Sequence, residues 1–340
     1  MKQSHLKALI QWGLGILLIC FVLYLGDISQ ISRLPEIHWG YVFALFLSSL
    51  FFTLSHNFRW KAIVDRTSAA KKGNFFSLLQ NLINSYALGI LIPLELSLLG
   101  LRSHHLKRFQ NIPMTVAIFS VLLDRFLDFI IFAVMALPSF LLITGTTSIF
   151  QSFLILVLLL AGQVLLILWK KGETFHFLLS LYRALLERWL ARVAFFRNRM
   201  KAGNKEMEGS YYFDTASVFR ITSWSLIKYI ILSLRFYFTG QALGIPFSWA
   251  QGFFFIPFIQ LAGLINITPA GLGVTEMSTY GALFLMGVPK SQILIFVVGQ
   301  RVLRFATSMI LFALSHLFYL VQSRRERVKG LNGSDQCTVD

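Results

Sequence analysis

Apolar residues in this chain come in long unbroken runs, not in alternation with polar ones. The stretch 153–169 reads FLILVLLLAGQVLLILW, with Gln163 as its only amide side chain. A transmembrane helix needs about 20 consecutive predominantly apolar residues, whereas a membrane-spanning strand alternates over about 10. Six runs meet the helical requirement, at about 8–25, 39–58, 113–136, 150–169, 217–242 and 291–321. Two further apolar segments, about 75–100 and 250–287, carry Asn, Pro and Glu in their middle. Lipid cannot satisfy a broken backbone, so both read as broken helices covered by protein. The expected fold is an all-α polytopic membrane protein of about six full spans plus two re-entrant broken-helix hairpins. It forms one transmembrane domain over residues 1–322, with a polar tail over 323–340.

Charges between the runs set the topology. The loop 26–38 is weakly acidic and reads as outside; the next, with Arg59, Lys61, Arg66, Lys71 and Lys72, is basic and reads as inside. Arg102, Lys107 and Arg108 follow segment 75–100, so it enters and leaves by the inner face. The basic stretch 170–215 and the tail with Arg324, Arg325, Arg327 and Lys329 are also cytoplasmic, which makes 250–287 a hairpin from the outer face; the alternative for either hairpin is two short full spans. Both termini are then cytoplasmic, and the run 8–25 reads as a retained signal anchor.

Composition agrees with lipid as the solvent: 56% of residues are hydrophobic and the mean hydropathy is +0.67. A net charge of +16 in a soluble protein would point to nucleic acid. Here the basic residues sit mostly between spans, so positive-inside topology and anionic headgroups replace nucleic acid as the explanation. Cys20 and Cys337 build neither a disulfide framework nor a metal cluster. His104 and His105 lack metal-ligand spacing, and Gly271-Leu-Gly273 lacks the strand and third glycine of a dinucleotide site. No catalytic residue, metal or cofactor is assigned, and no soluble catalytic domain is expected.

The chain also resembles itself. Residues 121–129 read VLLDRFLDF and 297–305 read VVGQRVLRF, which aligns Asp124 with Gln300, Arg125 with Arg301 and Asp128 with Arg304. Upstream, Asn84, Pro93 and Glu95 match Asn266, Pro269 and Glu276 in order, and Arg59 matches Arg235. The halves, about 39–136 and 217–321, run oppositely by the loop charges and so form an inverted repeat, a transporter architecture.

Ionisable residues at mid-bilayer cost about 2.5–3.5 kcal/mol each on insertion scales, so they face protein or water. Arg125 and Arg301 lie that deep. Asp124 and Asp128 share a helix face, as do Arg301 and Arg304. One role for the carboxylates is neutralisation across the halves, for instance Asp128 with Arg304. Three arginines against two carboxylates leave a surplus guanidinium, whose planar fork suits an anionic headgroup. In ITPAGLGVTE, Pro269, Gly271 and Gly273 break the helix, and the N–H groups of a new helix near Thr275 form an anion site. Glu276 either caps that helix or carries a proton for coupled transport, and Glu95, after Pro93, invites the same two roles.

These motifs resemble the lysylphosphatidylglycerol synthase transmembrane-region family, also described as flippase-like membrane proteins. The resemblance rests on Gly271–Glu276, Gly287–Pro289 and Arg301, with Asp124-Arg125 and Arg59-Trp60 earlier. The first hairpin departs from the family pattern: IPLELSLLGLR keeps Pro93, Glu95 and Arg102 but not the glycines. The soluble aminoacyl-transfer domain of two-part members is missing, so the chain is not expected to make aminoacylated lipid by itself. The resemblance implies movement of an anionic or polyprenyl-phosphate-linked lipid between leaflets of a bacterial inner membrane. Arg125, Arg301, Arg304, Pro269, Gly271, Gly273 and Glu276 would hold it, supported by Asp124, Asp128, Glu95, Arg59 and Arg235. The alternatives are an intramembrane transferase using a lipid-phosphate donor, with Glu276 or Asp124 as base, and a non-catalytic membrane partner of a separate lipid-modifying synthase.

Overall fold

A computed structural model describes residues 24, 36–67, 73–89, 92, 94–169, 213–245, 247–264 and 272–334. The expected span at 8–25 (Tyr24 apart), nearly all of the basic stretch 170–215, and Pro93, Pro269 and Gly271 lie outside these residues. Among the described residues there are nine helices and no strand: α1 (Trp39–Thr67), α2 (Phe75–Leu88), α3 (Leu94–Gln110), α4 (Met114–Ile143), α5 (Ile149–Trp169), α6 (Thr215–Ala242), α7 (Trp249–Leu264), α8 (Val274–Leu285) and α9 (Lys290–Ser334).

By length and composition, α1, α4, α6 and the part of α9 up to Phe318 can cross a membrane. They coincide with four of the predicted runs, and α5, with 21 residues, falls on a fifth. Helices α1 and α6 lie antiparallel. The His38 N–H donates to the Ala242 carbonyl (3.1 Å) at one end, and Arg66 meets Asp214 (3.1 Å) at the other. Their close approach rests on small residues. Ser48, Ser49 and Thr53 are buried and donate back to the carbonyls of Leu45, Leu45 and Ser49. Each hydroxyl is thereby satisfied within its own helix, and two backbones can pack closely in lipid.

Helices α2 and α3 form an antiparallel hairpin laced by three bonds. Ser97 Oγ donates to Ser85 O (2.6 Å), Asn81 Nδ2 to Leu101 O (3.3 Å), and Ser77 Oγ meets His105 Nε2 (2.7 Å). Asn74 starts α2 as an N-cap, its Oδ1 accepting from the N–H groups of Phe76 and Ser77. With 14 residues, α2 reaches about 21 Å, well short of a hydrocarbon core of about 30 Å. A core of Trp60, Val64, Leu78, Leu106, Ile112 and Val116 ties the open end of this hairpin to the end of α1 and the start of α4. It therefore opens at the Thr67 end of the bundle.

The second pair, α7 and α8, has 16 and 12 residues and packs at the other end. There Phe236, Leu243, Ile245, Phe247, Phe253, Leu283, Ile293 and Phe296 share one core. Helix α9 comes so near α6 that a Cβ on Gly299 would stand 2.7 Å from Leu243 Cδ1. Each half thus runs long helix, two short helices, long helix.

Candidate functional site

In each half the second short helix brings a carboxylate to the long helix that follows it. In the first half the Arg125 guanidinium lies 3.3 Å from Glu95, in the first turn of α3. In the second, Arg301 contacts Glu276, in the first turn of α8. These are the pairs that the internal alignment matches. Glu276 also accepts from the Gly273 N–H (2.7 Å) and from Thr275 Oγ1 (3.0 Å), so it caps its helix while holding Arg301. The cap needs glycine at 273, where φ is +83° and a side chain would be strained.

Between α1 and α4 the first half carries a buried charge network. Arg59 donates from Nε to Asp124 Oδ1 (2.8 Å) and from Nη1 to Asp128 Oδ1 (2.6 Å) and Ser225 Oγ (3.2 Å). Arg102, from α3, donates to Asp124 Oδ2 (2.9 Å) and stacks over Trp60 at 3.9 Å. His56 Nε2 lies 2.7 Å from the same oxygen, and its Nδ1 lies 2.5 Å from Tyr86 Oη. A neutral imidazole satisfies both contacts, donating from Nε2 to the carboxylate and accepting the tyrosine proton at Nδ1. Lys228, from α6, donates to both oxygens of Asp128 (2.8 Å each). His56, Arg59, Arg102 and Asp124 are fully buried. A buried ion is tolerated only with such multiple partners.

This corrects one expected pairing. Asp128 is neutralised by Arg59, Lys228 and, at 3.5 Å, Arg125, not by Arg304. The face of α4 that bears Asp124 and Asp128 looks toward α1 and α6, so a lysine on α6 supplies the link across the halves. His56, Tyr86 and Lys228 are additions that the sequence reading did not single out.

The second half is built differently. Arg235 donates from Nε to Ser49 Oγ (3.1 Å), with its guanidinium carbon 4.7 Å from the centre of the Phe52 ring. No carboxylate pairs with it among the described residues. Arg304 is exposed, and among the described residues it makes no salt bridge. Among the described residues, the facing helices thus carry seven cations (Arg59, Arg102, Arg125, Lys228, Arg235, Arg301 and Arg304) against four carboxylates (Glu95, Asp124, Asp128 and Glu276). The excess is three: one in the first half's network, where four cations share three carboxylates, and two in the second, where Arg235 and Arg304 make no salt bridge among the described residues. Among the described residues no group of three His, Cys, Asp or Glu side chains is placed to hold a metal. A separate apolar cavity of about 250 Å³ lies between α4, α5 and α6, lined by Ile131, Met135, Leu160, Phe219 and Leu226.

Long apolar helices, two short hairpins and a polar centre define a multi-pass membrane protein with an internal charged site. The chain belongs to the lysylphosphatidylglycerol synthase transmembrane-region family, whose model matches residues 9–311. That family is a membrane domain associated with lipid handling. A comparison with curated proteins found no match.

Proposed function

We propose that the protein is a lipid translocase that moves a lipid with an anionic headgroup between leaflets. The observation that carries this is the surplus of positive charge in the second half, where half-buried Arg235 bonds only Ser49 and neither it nor exposed Arg304 has a carboxylate partner among the described residues. Unpaired charge in lipid is expensive, and an anionic headgroup passing between the halves would offset it. Arg301, one turn before Arg304 on α9, and its partner Glu276 add to the polar surface of the same half. Arg125 and Glu95 form the matching latch in the other half.

The two hairpins support an inverted repeat in which the halves rock about a fixed centre, with each tip as a gate from one face. Asp124, Asp128 and Arg59 serve this motion as a rigid strut. Acyl chains stay in the surrounding lipid while the headgroup crosses. The inner (plasma) membrane, with both termini cytoplasmic, is the location that the loop charges support.

The test is a lipid inventory of cells with and without the protein, paired with labelling of the outer leaflet. The proposal expects unchanged total lipids and one anionic class lost from the outer leaflet. If instead a lipid is missing altogether and its precursor accumulates in the inner leaflet, the chain acts as a transferase and the proposal fails.

A further inference from the structure

The cavity between α4, α5 and α6 changes character along its length. Gln163, Thr222 and Ser223 line it beside Phe219, while Ile131, Met135, Leu160 and Leu226 supply its apolar wall. Thr222 lies seven residues into α6, about 10 Å from the first residue of that helix. Just before α6, Asp214 pairs with Arg66, and their half-exposed side chains mark the level where the helix meets water. Helix α4 starts at the same end, and Met135 lies 21 residues into it, so the apolar wall reaches deep into the bundle.

The polar end of the cavity is unsatisfied. Further along α6, Ser225, Ser233 and Thr239 donate back to the carbonyls of Ile221, Ile230 and Arg235. Thr222 and Ser223 make no such bond, and neither they nor the Gln163 amide has a hydrogen-bond partner among the described residues. Ser225 and Lys228 turn elsewhere, to Arg59 and Asp128, so the cavity is separate from the charged site. Arg220 shares a helix face with Ser223, is exposed, and makes no salt bridge among the described residues. A long basic side chain placed there carries its charge back to headgroup level while its stem lies on apolar surface.

We propose that this cavity binds one glycerophospholipid, with an acyl chain along the apolar wall, its ester carbonyls on Gln163, Thr222 and Ser223, and its phosphate on Arg220. An ester carbonyl only accepts, which suits one amide and two hydroxyls that have donors to spare. An apolar wall with a few polar groups that fix orientation is how ligand pockets between helices are built. An apolar cavity of about 150 Å³ already takes a benzene, so about 250 Å³ holds a longer stretch of chain. A bare hydrocarbon would fill the wall but leave the three polar side chains and Arg220 unpaired. The assignment stands apart from translocation, since none of these residues belongs to the charged site.

The test uses the full chain in detergent micelles with a few molecules per protein of a phosphatidylglycerol that carries a diazirine on one acyl chain. Mass spectrometry locates the labelled residues after illumination, with exposed Leu314 and Leu317 of α9 as the reference for non-specific contact. Labelling at Ile131, Met135, Leu160 and Leu226 is expected to exceed that reference at least about tenfold, the ratio that 1.4 kcal/mol gives. Leu226→Phe fills the cavity and is expected to remove this labelling while keeping the unfolding temperature, which separates loss of the site from loss of the fold. Arg220→Gln, at an exposed position, is expected to lower the labelling severalfold, and it decides alone should Leu226→Phe fold poorly. Wild-type labelling no stronger in the cavity than on α9 overturns the proposal. A diazirine-bearing hydrocarbon without a headgroup that labels the cavity as strongly as the phospholipid overturns the glycerophospholipid assignment. Cavity labelling retained in both variants overturns the site.

Discussion

Replacing Asp124 with Asn removes one negative charge and little else, yet it should be among the most damaging changes in the molecule. Asp124 accepts from Arg59, Arg102 and His56, and none of these three side chains has solvent access. Asparagine keeps the shape but turns one acceptor into a donor, so an N–H would face Arg102 and His56. Arg59 retains Asp128 as a partner, whereas Arg102 loses its only salt bridge among the described residues. Removing one member of a buried ion pair costs about 3–5 kcal/mol, because the charge left behind stays out of water. That corresponds to roughly a hundred- to several-thousand-fold in the ratio of folded to unfolded protein. Unfolding of purified protein by graded addition of denaturing detergent to mixed micelles reads this directly. Arg66→Gln is the control: it breaks the pair with Asp214, whose side chains are 39% and 41% exposed, and should cost at most about 1 kcal/mol. If Asp124→Asn unfolds no more easily than Arg66→Gln, the network is not the strut described.

Lys228→Gln removes one of the cations that link the halves, but Arg59 and Arg125 still hold Asp128, so a smaller loss of about 1.5–3 kcal/mol is expected in the same titration. Gly299→Ala places a Cβ against the Leu243 side chain; overpacking of this kind costs about 1–3 kcal/mol, and thermal unfolding should show it. Glu276→Gln releases Arg301 from its carboxylate, and lipid-binding titration should show tighter binding of anionic lipid; unchanged affinity would separate Arg301 from the site.

The helical architecture was legible because lipid leaves so few solutions for the backbone. Run lengths located α1, α4, α5, α6 and α9, and the Asn, Pro and Glu interruptions marked both short pairs. Self-similarity aligned Glu95 with Glu276 and Arg125 with Arg301, but that each carboxylate meets its arginine was not read from the sequence. Which cation neutralises Asp128 was not legible. That depends on how α4 is rotated toward α1 and α6, a packing property with no local pattern. Lys228 carries the same signal as Arg125, a cation inside an apolar run, and could have been found by it. His56 is harder to find, since a neutral imidazole in a span stands out less and its partner Asp124 is 68 residues away.

The translocase proposal is tested most directly in vesicles reconstituted with the full chain and a fluorescent anionic phospholipid in both leaflets. An impermeant reductant then bleaches whatever reaches the outer surface. Protein-free vesicles should lose roughly half their signal. With the wild-type chain, loss should run nearly to completion, and Gln300→Asp with Arg304→Asp should return it to half. Half-loss with the folded wild-type chain, indistinguishable from protein-free vesicles across anionic lipid classes, would contradict translocation.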